Sequence, residues 1–289
     1  MVRAETLWKR SMSQPRPTRA RSVLYLPASN SRAIEKARGL TCDVAVLDLE
    51  DAVAPEMKLQ ARAAAVAAAR EGGFGPRLGV RINGLDTPWG VDDLAALRDA
   101  PVDLIVAPKV ENAATVHALS DGMRPGIELW AMIETPRALV DLRDIAEAGG
   151  ALGGLMLGVN DLAKELKTGA APNREPLKPW LAAVVAHARA NGLSAIDGVF
   201  NRIKDEAGFA AECAQGRLYG FDGKSLIHPS QIEGANAAFG ASAEEAEWAR
   251  KVVAAFAAPE AEGLGVIRVE GEMVERLHLE QAQAVLAAL

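Results

Sequence analysis

Only two cysteines, Cys42 and Cys213, stand in this chain of 289 residues. They share no CxxC spacing, and no secretory apolar segment precedes the first strand-like run. A disulfide scaffold is therefore excluded, and a reducing, cytoplasmic setting is expected. No apolar run approaches the about 20 residues that a membrane-spanning helix needs, so no membrane partner is expected. Positive charge is scarce where a nucleic-acid surface would require it. The net charge is −6. Within residues 1–21, Arg3, Lys9, Arg10, Arg16, Arg19 and Arg21 face Glu5 alone, which is about +5 and leaves about −11 for the rest. A folded part so acidic argues against nucleic acid as a partner. HxxxH pairs, a GxSxG elbow, a Walker sequence and a Gly-rich dinucleotide fingerprint after the first strand are missing too, which argues against zinc hydrolysis, serine nucleophiles, P-loop chemistry and an open dinucleotide-binding sheet.

What the chain does have is a 49% hydrophobic content, enough for a large buried core, and a repeated unit. The stretch Leu129-Trp-Ala-Met-Ile-Glu134-Thr-Pro136 shows it best. An apolar, β-prone run ends in a carboxylate, and Thr135-Pro136 opens a helix as N-cap and first-turn proline. A second junction of the kind follows at Gly154-Leu-Met-Leu-Gly-Val-Asn-Asp161. Strands are also expected at Ser22–Pro27, Val44–Asp51, Gly79–Ile82, Leu104–Ala107, Leu193–Asp197 and Leu218–Phe221. Helices are expected at 31–40, 56–71, 88–98, 112–120, 136–148, 181–191 and 205–215, with a long loop over 164–179. About eight strands alternating with helices is the signature of an α/β fold of the (β/α)₈ TIM barrel type. The predicted layout is a disordered basic leader (1–20), the barrel (21–240) and a small C-terminal extension (241–289). That extension holds a helix over 243–258, a strand over 265–269, a Glu270-Gly271 turn and a helix over 277–288. It is too small to fold alone and is expected to act as a lid on a barrel mouth.

Barrel sites lie at the C-terminal ends of the strands. Asp48, Glu50, Asp51, Arg81, Lys109, Glu134, Asp161, Asp197, Lys224 and His228 fall there. Carboxylates without a nearby His or Cys pair suit a hard divalent cation, which takes oxygen ligands and completes its shell with water and substrate. Glu134 and Asp161 are the expected metal ligands, for Mg²⁺ or in its place Mn²⁺. Asp48, Glu50 and Asp51 are expected to hold metal-bound water or orient the basic residues; helix capping and plain ion pairing are the alternatives. Arg81 lies inside an apolar strand and must meet an anion, either Glu50 or a substrate carboxylate. Lys224 and His228 are placed on the eighth loop, where barrels often bind phosphate.

Seven ordered segments resemble a known family: Arg21-Ser-Val-Leu-Tyr-Leu-Pro27, Asp48-Leu-Glu-Asp-Ala-Val-Ala-Pro55, Val80-Arg-Ile-Asn-Gly84, Ala107-Pro-Lys-Val110, Met132-Ile-Glu-Thr-Pro136, Gly158-Val-Asn-Asp-Leu162 and Gly223-Lys-Ser-Leu-Ile-His-Pro-Ser-Gln231. They are similar to the motifs of the citrate lyase β-subunit-like group of the HpcH/HpaI aldolases, which includes malyl-CoA and citramalyl-CoA lyases. The resemblance implies a Mg²⁺-dependent TIM barrel, assembled as a homotrimer or homohexamer, that cleaves or forms a C–C bond in a 3-hydroxyacyl-CoA. It implies that Glu134 binds metal and substrate, Asp161 binds metal, Arg81 is catalytic and binds substrate, and Arg21 lies near the CoA or substrate. Asn160, His228 and Pro229 would contact the ligand. Many lyases of the group carry a Met-Ile-Asp-like motif in the extension, whose acid handles the proton. Here Gly271-Glu-Met-Val-Glu275-Arg-Leu-His278 puts Glu275 in that place. This ending also resembles the malyl-CoA thioesterase branch, in which water attacks the thioester. A citrate-lyase-like β subunit working with an acyl-carrier partner is the third expectation. His278 is expected to cap a helix.

Overall fold

The computed structural model describes residues 20–169, 172–287 and 289; apart from Ala20, the expected leader lies outside the described residues. Eight parallel strands close into a barrel: β1 (Ser22–Pro27), β2 (Val44–Asp48), β3 (Arg77–Arg81), β4 (Leu104–Ala107), β5 (Glu128–Ile133), β6 (Leu152–Leu157), β7 (Ser194–Asp197) and β8 (Gly223–Leu226). The closing seam pairs Ser22 with Lys224 and Leu24 with Leu226. Helices follow the strands in turn: α1 (Ser31–Ala37), α2 (Lys58–Glu71), α3 (Gly90–Leu97), α4 (Ala113–Gly122), α5 (Pro136–Val140) with α6 (Leu142–Glu147), α7 (Val159–Glu165) with α8 (Lys178–Ala190), α9 (Glu206–Tyr219) and α10 (Ile232–Phe239). Asn30, Asn112, Thr135 and Asp205 each accept a backbone N–H two or three residues into the helix that follows. Such caps satisfy donors that a helix start leaves without intrahelical partners.

Side chains on a strand alternate faces. One set fills the barrel: Val23, Val44, Val46, Leu104, Val106, Trp130, Met132, Met156 and Ile196, with Tyr25 packed on it. The period of two, carried on, points Asp48 after Val44 and Val46, and Glu134 after Trp130 and Met132, into the mouth above this core.

The chain divides after Asn236 into two compact units. The second holds α11 (Ala243–Ala257), an antiparallel hairpin of β9 (Val266–Val269) and β10 (Glu272–Glu275), and α12 (Arg276–Ala287). Glu270 and Gly271 turn the hairpin with φ of 51° and 91°, the left-handed pair that a tight two-residue turn demands. Ala249, Val252, Val269, Val274 and Ala282 form an apolar cluster inside this unit. Among the described residues no helix is long and apolar enough to cross a membrane.

Three expectations need correction. Leu218–Phe221 is not the eighth strand. Leu218 and Tyr219 end α9, Gly220 closes it with a left-handed φ of 95°, and Leu218 is 85% exposed. The real β8 begins at Gly223 and contains Lys224, whose charge disguises a fully buried strand. The 164–179 stretch is not one loop, because α7 runs to Glu165, a 3₁₀ segment spans Pro172–Leu177 and α8 starts at Lys178. Asp161 is not at a strand end, since β6 stops at Leu157 and Asp161 sits in the first turn of α7.

Candidate active site

The register pairs Asp48 directly with Arg81 across β2 and β3, and their side chains meet in the barrel mouth. Arg81 Nε and Nη2 donate to the two Asp48 oxygens at 2.7 and 2.6 Å, a bidentate fork. Arg81 Nη1 lies 2.9 Å from Glu50 Oε2 and 3.6 Å from Asp51. The Tyr25 ring lies with its centroid 4.7 Å from the guanidinium carbon, within cation–π range. Burial alone would weaken protonation of Arg81, and Asp48 more than offsets it, so the side chain stays charged. The anion that the sequence demanded for Arg81 is thus Asp48 foremost, with Glu50 beside it.

Glu134 follows β5 and is almost wholly buried. Its Oε1 accepts the Lys109 backbone N–H at 2.8 Å, while Lys109 Nζ reaches Glu50 Oε1, also at 2.8 Å. Lys109 turns its amide this way in a left-handed conformation, φ 48°, which a side chain adopts only at some cost. Burial first, and then the Glu50 charge, push the Glu134 carboxyl up to about 7. The space beside it exists because residue 158 is glycine: a Cβ there would collide with Glu134 Oε2 and come within 2.5 Å of Glu134 Cβ. Gly158→Ala is expected to drive the carboxylate off the Lys109 amide and to cost about 1–3 kcal/mol of stability through overpacking. A crystal structure of the variant with Glu134 unmoved would refute the steric argument.

Glu134 and Asp161 line the same cavity, of about 360 Å³, with Arg81, Asp48, Asp51 and Asn160. The Asp161 carboxylate has no hydrogen-bond or ion-pair partner among the described residues, so among them it is neither a helix cap nor part of a salt link. Asn160 pairs reciprocally with Asn201, at 2.7 and 3.3 Å. No cluster of three or more His, Cys, Asp and Glu side chains among the described residues could hold a metal unaided. Two carboxylates fit Mg²⁺, which commonly takes one or two and fills its octahedron with water and substrate oxygens. Glu134 and Asp161 are the pair that would hold it.

Other expected site residues fall elsewhere. Arg21 precedes β1, at the opposite end of the strand from the cavity, and forks onto Asp43 at 2.7 and 2.8 Å, so within one chain it does not line the cavity. Lys224 is fully buried between Asp197 and Glu212, so it is no loop phosphate binder. His228 caps the turn Pro229–Gln231, its Nδ1 accepting the Ser230 N–H at 3.2 Å. The cavity reaches Ser225 and Ile227 just before it, and His228 and Pro229 do not line it. Glu275 ends β10 in the second unit, where its N–H donates to His278 Nδ1 at 2.9 Å; His278 is a cap, as expected. Sequence reasoning missed Tyr25 as a cavity residue, although its place two positions after the inward-facing Val23 would have shown it.

A family model described as HpcH/HpaI aldolase/citrate lyase matches residues 21–229. A (3S)-malyl-CoA thioesterase of Cereibacter sphaeroides is 47% identical over 268 residues, covering 92% of this chain and 93% of its own. The citrate lyase subunit beta of Leuconostoc mesenteroides subsp. cremoris is 35% identical, with 92% of each chain covered. Among solved structures, CitE from Mycobacterium tuberculosis in complex with magnesium, acetoacetate and coenzyme A superimposes with a TM-score of 0.78 at 33% identity, covering 94% of this chain and 98% of that one. The chain is therefore an enzyme of the HpcH/HpaI aldolase/citrate lyase family.

Proposed function

We propose that this enzyme hydrolyses the thioester of (3S)-malyl-CoA, or of a closely similar 3-hydroxyacyl-CoA, releasing the free acid and CoA, with Mg²⁺ held by Glu134 and Asp161. The observation that carries the reading is the 47% identity to a malyl-CoA thioesterase along nearly the whole chain, against 35% for a citrate lyase β subunit. It revises the order expected from sequence, in which the C–C lyase stood first.

When bound, the ion supplies Lewis-acid charge beside the substrate's oxygens. The rest follows from the chain's own residues. Arg81, fixed in orientation by Asp48 and stacked on Tyr25, places a permanent positive charge on the cavity wall, where charge develops on substrate oxygen. Asn160 offers an amide to a substrate oxygen, and its pairing with Asn201 holds the amide plane. Leu157, Val159 and Ile227 make an apolar rim that keeps bulk water from the polar floor and strengthens every charge interaction there. Glu275 is proposed as the acid that takes the proton from the attacking water, on the strength of its place in the C-terminal motif.

Product analysis tests the reading. Malyl-CoA incubated with the protein and Mg²⁺ is expected to give free malate and CoA, and excess chelator is expected to stop the reaction. Glyoxylate with acetyl-CoA would overturn hydrolysis in favour of C–C cleavage, a reading supported by the relative that binds magnesium, acetoacetate and coenzyme A.

A further inference from the structure

We propose that Lys58, a buried lysine that lies outside the cavity, is a positioning residue for the acidic turn 48–51 and through it for the cation site. The inference rests on the Mg²⁺ site proposed above. The turn carries three of the carboxylates at the barrel mouth and is tied from two sides. On one, Asp48 accepts the N–H groups of Glu50 and Ala52 at 2.9 and 3.0 Å. On the other, Lys58, the first residue of α2, donates from Nζ to the carbonyls of Leu49 and Glu50, both at 2.7 Å.

Lys58 is 6% exposed, and burying an ammonium is costly unless its protons are used. Two go to the carbonyls, and the third side is covered by the Trp89 ring, with its centroid 5.4 Å from Nζ. Trp89 is fixed in turn, because Arg62, on the same helix as Lys58, donates to its carbonyl at 3.0 Å. A helix needs no charge merely to pack on a barrel, since apolar contact does that. What the ammonium adds is a fixed location for two adjacent carbonyls, and therefore for the Glu50 backbone between them.

Glu50 is where this matters. Its carboxylate meets Lys109 Nζ at 2.8 Å and Arg81 Nη1 at 2.9 Å, and the Lys109 amide holds Glu134 Oε1. From Lys58 to Glu134 the path is three short polar contacts joined by the side chains of Glu50 and Lys109. Loss of the ammonium frees the turn, shifts Glu50 and loosens Arg81, Lys109 and Glu134 together. Lys58 touches none of the groups expected to meet substrate.

The full-length protein with Lys58→Met, which keeps length and bulk but removes charge and donors, tests this beside Lys58→Arg, which restores both. Mg²⁺ binding is measured by calorimetry without substrate, kcat and KM with malyl-CoA, and folding by circular dichroism. Lys58→Met is expected to keep the wild-type spectrum, weaken Mg²⁺ binding and lower kcat by about 10–100-fold each, and Lys58→Arg to recover part of both. A lower melting temperature in Lys58→Met with Mg²⁺ affinity and kcat unchanged would overturn the proposal. Should Lys58→Met not fold, Trp89→Leu, which strips the ammonium's cover, is read by the same two criteria. If the wild type binds Mg²⁺ but leaves malyl-CoA intact, the substrate reading fails and the calorimetric comparison still decides Lys58. A wild type that binds no Mg²⁺ overturns both.

Discussion

Glu134→Gln is expected to abolish Mg²⁺-dependent turnover, by at least about 100-fold, since a direct ligand should matter more than groups one contact removed from the ion. The barrel is expected to stay folded. Glutamine has the same size, can still accept the Lys109 amide, and brings no charge into a buried site. In the metal-free protein, burial and the Glu50 charge raise the Glu134 carboxyl from 4.5 to about 7. The folded state therefore holds this proton more tightly than the unfolded chain does. The contribution of Glu134 to stability is greatest below the unfolded value; it falls as pH rises to about 7 and levels off above. Glutamine never takes that charge, so at about pH 8 the metal-free variant is expected to melt at or above the wild type. Mg²⁺ is expected to raise the melting temperature of the wild type and leave that of the variant unchanged. Thermal melts with and without Mg²⁺, alongside an activity assay, check both halves. A variant that keeps full Mg²⁺-dependent activity would remove Glu134 from the metal site.

Glu134 was legible in the sequence because two local signals coincide there: an apolar run broken by a carboxylate, and a Thr-Pro suited to the N-cap and first turn of a helix. The same logic found Asp48 and Arg81, whose strand positions share one inward-facing register. It failed where identity depends on partners far along the chain. Lys224 reads as a loop cation because its neutralising groups, Asp197 and Glu212, lie 27 and 12 residues away, and nothing local marks it as buried. The apolar Leu218-Tyr-Gly-Phe221 then looked like the missing strand, although Gly220 was the helix stop signal within it. Arg21 was placed near the ligand by motif similarity, while its bond to Asp43 is set by the barrel's closure and not by any local pattern. Lys58 lies at the start of the helix expected over 56–71 with nothing local to mark it as buried, and only the folded turn of residues 48–51 gives it a purpose.

Asp197→Asn is expected to be the most destabilising polar substitution in the barrel. Asp197 and Lys224 are both fully buried, with Lys224 Nζ 3.1 Å from one Asp197 oxygen and Arg174 Nη1 2.7 Å from the other. Asparagine keeps the shape but removes the charge that two cations require, leaving Lys224 with Glu212 alone as its counter-ion. Breaking a buried pair from one side costs about 3–5 kcal/mol, a melting shift on the order of 10 °C for a chain of this size. The double variant Asp197→Leu with Lys224→Met removes both buried charges and leaves Arg174 within 3.5 Å of Glu212. It is expected to lose less than the sum of the two single changes. The pH dependence separates charge loss from simple repacking. Burial would raise the Asp197 carboxyl, but Lys224 and Arg174 outweigh it and hold the group below its usual range. Its contribution to stability is therefore complete above the unfolded value of about 3.9 and is lost only as pH falls through the lower folded value. The gap between wild type and Asp197→Asn is expected to stay constant from neutral pH down to about 4 and to close below it. A gap that does not change in acid would mean that shape, and not the buried ion pair, is what this position supplies.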